Sequence, residues 1–242
     1  MTTLQIAEVR CSNCGRKSRH RTLSSTNQFG AVDLDMRPPE MARSTMDTWM
    51  QQCPGCGLVA LDLSDKWEGD PDWLKSAGYL EAKSRLGIPP LARTFLCKAF
   101  LDSKENDHFG AFRQTLWAAW VLDDEKLEVE AREVRLEAAR WLEDQTDLNP
   151  NTQATLLDVL RRAQAWDKAR RVGEDLQAQT LDAVLAAVVA YQLGRIEQRD
   201  DGVHTVDEAY GRPPKRPVAV SPPSKPPAKR WWGLRLFGRR DA

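Results

Sequence analysis

The sequence predicts a mostly α fold preceded by a small β ribbon, and three observations carry that reading. Two CxxCG motifs, Cys11-Ser-Asn-Cys14-Gly15 and Cys53-Pro-Gly-Cys56-Gly57, fall in the first quarter of the 242 residues. From Asp70 onward the apolar spacing changes from a period of two to about 3.6 residues, the spacing of amphipathic helices. After Tyr210 the composition changes again, with seven prolines in the fifteen residues 213–227. These shifts divide the chain into a ribbon with a long inter-knuckle loop at 1–66, a helical, repeat-like domain at 67–209, and a Pro-rich basic tail with an aromatic motif at 210–242.

The ribbon rests on its cysteines. A CxxC turn brings two thiolates to one edge of a tetrahedron, and two such turns complete a closed four-cysteine site of the structural type. Gly15 and Gly57 each follow a pair, where the returning backbone often needs φ > 0. Cys11, Cys14, Cys53 and Cys56 are therefore the expected ligands of one structural zinc ion, with iron in the same thiolate cage as the minor alternative. A redox dithiol would open a helix beside a βαβ pattern, and neither pair does. A disulfide framework suits a short secreted chain, and the start MTTLQIAEVR has no apolar signal core. The 38 residues between Cys14 and Cys53 imply an extended central loop. The expected strands are residues 1–10 before the first knuckle, Thr48 to Gln52 before the second, and Leu58 to Leu63 after it. His20, His108 and His204 are scattered singly and read as non-ligands. Cys97 reads as a core thiol.

The inter-knuckle loop alternates charge (Asp33, Asp35, Arg37, Glu40, Arg43) with Val32, Leu34, Met36 and Met41. Pro38-Pro39 stops any helix there. The loop is expected either to be pinned to its own ribbon by local ion pairs or to be presented for recognition. Helices are predicted near 71–86, 90–104, 109–123, 127–146, 151–164, 166–179 and 182–199. Asn149-Pro150 breaks the pattern, and Asn151 or Thr152 is placed to cap the helix that follows. Apolar stripes such as Phe112, Leu116, Trp117, Trp120 and Val121 read as core. Gln164 to Ala169 has the look of a tetratricopeptide-type bend, but the small-residue offset of 38 is not the period of that repeat. Paired repeats and an irregular bundle both remain open.

Charge is distributed unevenly. Lysines and arginines balance aspartates and glutamates over the whole chain, but 61–210 carries 19 basic against 29 acidic residues, and the tail from Gly211 carries nine against one. The tail ends in Ala228 to Arg240, AKRWWGLRLFGRR. Its expected partner-binding residues are Arg230, Trp231, Trp232, Leu234, Arg235, Leu236 and Phe237. A purely solubilising tail has no use for large apolar residues. An anionic membrane surface, a nucleic acid or a partner protein would each suit this motif.

CSNCG, then DLDMRPPEMARSTM, then DTWMQQCPGCGLVALDL and a helical region resembles a bacterial family of unknown function. Its members pair an N-terminal zinc ribbon with tetratricopeptide-like helices. The resemblance covers roughly residues 8–200. It implies metal ligation by the four cysteines and nothing catalytic; Leu58 stands where that family usually has tyrosine or a similar residue.

No Gly-rich phosphate loop, HExxH or GxSxG occurs, and no run of about 18 apolar residues that could span a membrane. The expected function is a non-enzymatic, cytoplasmic protein-interaction adaptor with no small-molecule substrate, membrane-peripheral through its tail if that segment meets lipid. The alternative is a nucleic-acid-binding zinc-ribbon protein, with Arg16, Lys17, Arg19 and Arg21 after the first knuckle as contacts.

Overall fold

The computed structural model of the chain describes residues 1–143 and 145–211. Two antiparallel hairpins form the ribbon. β1 (Thr3–Arg10) pairs with β2 (Lys17–Ser25), and Arg10 sits opposite Lys17 at the knuckle end. β3 (Gln51–Gln52) pairs with β4 (Val59–Ala60) around the second knuckle. The helical region follows as α1 (Ala77–Ser84), α2 (Pro90–Lys104), α3 (His108–Asp124), α4 (Glu128–Glu143), α5 (Pro150–Arg162), α6 (Trp166–Gln177), α7 (Ala183–Glu197) and the single turn α8 (Val206–Ala209). The fold class read from the sequence is thus the one observed.

Local chemistry sets most boundaries. Asp107 caps α3 by accepting from the Gly110 amide at 2.8 Å, and Asp182 caps α7 by accepting from Val184 and Leu185 at 2.9 Å. At α5 the cap is Asn149, which accepts from the Thr152 amide at 3.0 Å, rather than Asn151 or Thr152. Pro150 explains the difference, because its fixed φ and missing N–H make it a natural first helical residue.

Three expectations change. The segment 17–25 is a strand, although the sequence reading treated its start only as a basic cluster. The strand expected at Thr48–Gln52 shrinks to Gln51–Gln52. Before it lies a 3-10 turn over Arg43–Thr48, where the Thr45 and Thr48 hydroxyls each donate 2.7 Å to the carbonyl three residues back. The strand after the second knuckle is likewise only Val59–Ala60.

One turn recurs through the helical region. Asn106, Lys126, Gln164 and Arg199 all stand at φ of 51 to 61° just past the ends of α2, α3, α5 and α7. At each, the next residue's amide donates back to a carbonyl five residues earlier: Asp107 to Asp102, Leu127 to Leu122, Ala165 to Leu160 and Asp200 to Arg195, all at 2.9 Å. This is the Schellman closure, which satisfies carbonyls left open at a helix end.

The buried apolar cluster runs from Val9 and the knuckles through α1–α5 to Val189 and Ile196 in α7. Leu58, Leu63, Tyr79, Phe95 and Cys97 are all fully buried within it. Trp117 joins the two regions, meeting Trp49 edge-on at 4.8 Å and Phe95 at 5.6 Å between ring centres. α2, α3 and α4 pack closely in series, whereas α4 packs more lightly on α5, which in turn carries α6 and α7. Among the described residues no helix is long and apolar enough to cross a membrane.

Candidate metal centre

The two knuckles are built alike. Gly15 donates to the Cys11 carbonyl at 2.8 Å and Gly57 to the Cys53 carbonyl at 3.0 Å, while the Cys11 and Cys53 amides reach forward to Arg16 and Leu58. The glycines stand at φ 72 and 86°, a region that a side chain would strain. Each CxxC thus folds back on itself and aims both sulfurs inward.

The result brings the four predicted cysteines together. Their sulfurs lie within 4.8 Å of one another, and none is in a disulfide. Across the knuckles, Cys11 Sγ is 3.7 Å from Cys56 Sγ and Cys14 Sγ is 3.6 Å from Cys53 Sγ. A tetrahedron with metal–sulfur bonds of about 2.3 Å has edges of about 3.8 Å. The donor set and its spacing therefore fit one metal ion. Metal binding needs thiolates. Burial pushes the Cys11 thiol up to about 12. Burial also opposes ionisation at Cys53, but the Cys56 and Gly55 amides and the neighbouring thiols bring it down to about 7. Cys53 is the readiest of these two to supply a thiolate.

The remaining sequence candidates fall in different places. Cys97 lies in α2 away from the cluster, fully buried, and burial raises its thiol to about 11. His20 pairs with the Ser18 hydroxyl at 2.8 Å, and His204 with Asp200 and the Tyr191 hydroxyl, each at 3.0 Å. Lys17, Arg19 and Arg21 alternate along the exposed face of β2, with Arg16 just before it. Lys17 is paired with Glu8 at 2.7 Å and Arg21 with Asp47. The tail residues Arg230, Trp231, Trp232, Leu234, Arg235, Leu236 and Phe237 lie outside the described residues.

The larger surprise is the inter-knuckle loop. One local pair does hold it, Arg43 to Asp33 at 2.6 Å. Its centre, however, is neither pinned to the ribbon alone nor presented to solvent: it is plugged into the helices. Asp35, 1% exposed, accepts from Trp120 Nε1 of α3 at 2.7 Å and from Arg162 Nη1 of α5 at 2.8 Å. Arg162 spans to Asp123 at 2.8 Å, and Asp123 also receives Arg135 of α4 at 3.0 Å. Arg37, itself buried, pairs with Asp124 at 2.5 Å. Burial alone would raise the Asp123 carboxyl, but Arg135 and Arg162 outweigh it and hold the group below the usual carboxylate range. On the far side of the loop, the Leu34 amide donates to the His204 carbonyl at 2.9 Å. The sequence did hold one signal for this clasp: Arg162 ends α5 where a solvated lysine would ordinarily do.

Comparisons with known protein families, with curated proteins and with solved structures find no match to this chain. Whatever is said of its function rests on the chain's own residues.

Proposed function

We propose that this chain is a non-enzymatic adaptor, in which one structural zinc ion at Cys11, Cys14, Cys53 and Cys56 locks the ribbon and the helices offer a binding surface to a partner protein. Zinc suits an all-thiolate tetrahedral cage better than the harder divalent ions do. Four protein ligands fill a tetrahedron and leave no position for water or substrate, so the metal's role is to hold the fold. The observation that carries the reading is the clasp at Asp35. It ties the loop between the two knuckles into α3 and α5, so ribbon and helices behave as one platform. The aromatic basic tail is assigned to docking on a partner protein or an anionic membrane.

A second reading, nucleic-acid binding, is favoured by the exposed basic row on β2 and opposed by the acids that already neutralise two of its members. Affinity capture from the native cell with the full chain, and with a chain stopped after Tyr210, separates the two. The adaptor reading expects a protein retained in near-equal amount after nuclease treatment and a high-salt wash. Recovery of nucleic acid alone, lost on nuclease treatment, overturns it.

A further inference from the structure

Helices α4 and α6 both rest on α5 and scarcely touch each other. The space between them is a groove floored by α5, made of two adjoining cavities of about 550 and 530 Å³. Ala139, Glu143, Leu160, Lys168 and Arg171 line both cavities, and a Lys168–Glu143 ion pair bridges the walls. The two cavities differ in chemistry. The first is mixed, with Leu142, Leu148, Leu156 and Val172 beside Gln153, Asp175 and Gln179. The second gathers Arg140 from α4, Arg171 from α6 and Arg199 from beyond α7 around Trp166. Among the described residues none of these three guanidiniums has a hydrogen-bond or ion-pair partner. The buried arginines differ: Arg37, Arg135, Arg161 and Arg162 are all engaged by carboxylates, whereas Arg140, Arg171 and Arg199 are exposed and converge on one cavity.

We infer that this groove is a docking site for an acidic segment of a partner protein that carries an apolar anchor beside its carboxylates. The inference rests on the adaptor reading and names the surface it would use. Charge complementarity selects the occupant. Residues 61–210 hold ten more acidic than basic residues, yet the second cavity has cations Arg140, Lys168, Arg171 and Arg199 against Glu143 and Asp167. These three arginines, without a partner among the described residues, offer forked donors that match carboxylates two at a time. The leucines and Val172 of the neighbouring cavity would receive the apolar anchor, and apolar anchor plus charged flank is how short segments gain both affinity and register. The chain's own basic tail is repelled by the same arginines. A polynucleotide fits less well, because Glu143, Asp167 and Asp175 interrupt the positive surface that a phosphate backbone follows.

The test is fluorescence anisotropy with the full zinc-loaded chain and a short fluorescein-labelled peptide of two leucines followed by four glutamates. Its glutamine analogue, its leucine-to-serine analogue and a labelled oligouridylate serve as controls. The glutamate peptide is expected to bind, more weakly as salt rises, and each analogue to bind at least about tenfold more weakly. Arg140→Glu with Arg171→Glu is expected to cost about the same factor or more. Both positions are exposed, so an unchanged circular dichroism spectrum checks the fold. Equal binding of the glutamine analogue, unchanged binding by the charge-reversed chain, stronger binding of the oligouridylate, or no peptide binding at all overturns the proposal. A partner that co-purifies equally with parent and charge-reversed chain would sink the groove and leave the adaptor reading standing.

Discussion

The ribbon and the helical body solve the same problem by different means. β1 and β2 make a long hairpin, but along both strands only Val9 is buried. β3 and β4 contribute two residues each. A hairpin with so little apolar burial is marginal by itself, so on the proposed reading the ribbon draws its stability from a metal held by the four sulfurs, where metal-binding energy becomes folding energy. The helices instead bury long stripes, such as Leu116, Ala119, Trp120 and Leu122 of α3 and Leu156, Leu157 and Leu160 of α5. Against that apolar background they also bury charge, with Arg135, Arg161 and Arg162 each at most 7% exposed. The difference teaches that the regions should fail for different reasons, the ribbon when a ligand is lost and the body when a charge loses its partner.

The largest effect is expected from Cys53→Ser. It should abolish metal binding and melt the ribbon while most helical circular dichroism persists at room temperature. The thermal midpoint of the helices should nevertheless fall, because the clasp is then tethered at one end only. A variant that keeps its full midpoint would show that the two regions are independent.

Next comes Arg162→Met, which leaves Asp35 and Asp123 short of a partner in the interior. Removing one member of a buried ion pair costs about 3–5 kcal/mol, measurable by urea unfolding, and adding Asp35→Asn should restore part of it. The same network sets an acid limit. Asp123 is held below the usual carboxylate range, so its contribution is in place above about pH 4 and is lost as pH falls through its lowered value. Arg162→Met should make the acid limb of the stability profile shallower. A variant within measurement error of the parent would mean that the network does no stabilising work.

The smallest effect sharpens the comparison from the helical side. Lys126 stands at φ 60°, where a side chain is strained and glycine is not. Lys126→Gly should stabilise by roughly 0.5–1 kcal/mol with no change in metal content. Destabilisation would indicate that the lysine side chain itself supports the turn.

Much of this architecture was legible in the sequence because its signals are local. Asn149-Pro150 marks a helix boundary by its own chemistry, although the cap proved to be Asn149, and CxxCG marks a knuckle by the turn it must make. β2 was not legible because residues 17–25 lean on their partner strand and show solvent on both faces, so no apolar alternation betrays them. The clasp was hidden by distance. Asp35 meets Trp120 85 positions away and Arg162 127 positions away, and an aspartate in a loop looks solvated until its partner is known. The bend at Gln164 was legible, but the Schellman closures at Lys126 and Gln164 were not, because glycine or asparagine is the residue usually found there. At the candidate metal centre the convergence of all four cysteines was readable; the arginines of the α4–α6 groove were not, since only packing brings Arg140, Arg171 and Arg199 to one cavity.

The central claim is that four thiolates on two matched knuckles hold one zinc ion as a structural element. Zinc K-edge X-ray absorption on the purified full chain, with metal content measured on the same sample, tests it most directly. The account predicts about one zinc per chain and a single shell of four sulfurs near 2.3 Å. A shell containing nitrogen or oxygen, or clearly less than one metal per chain in protein prepared without chelator, would contradict it.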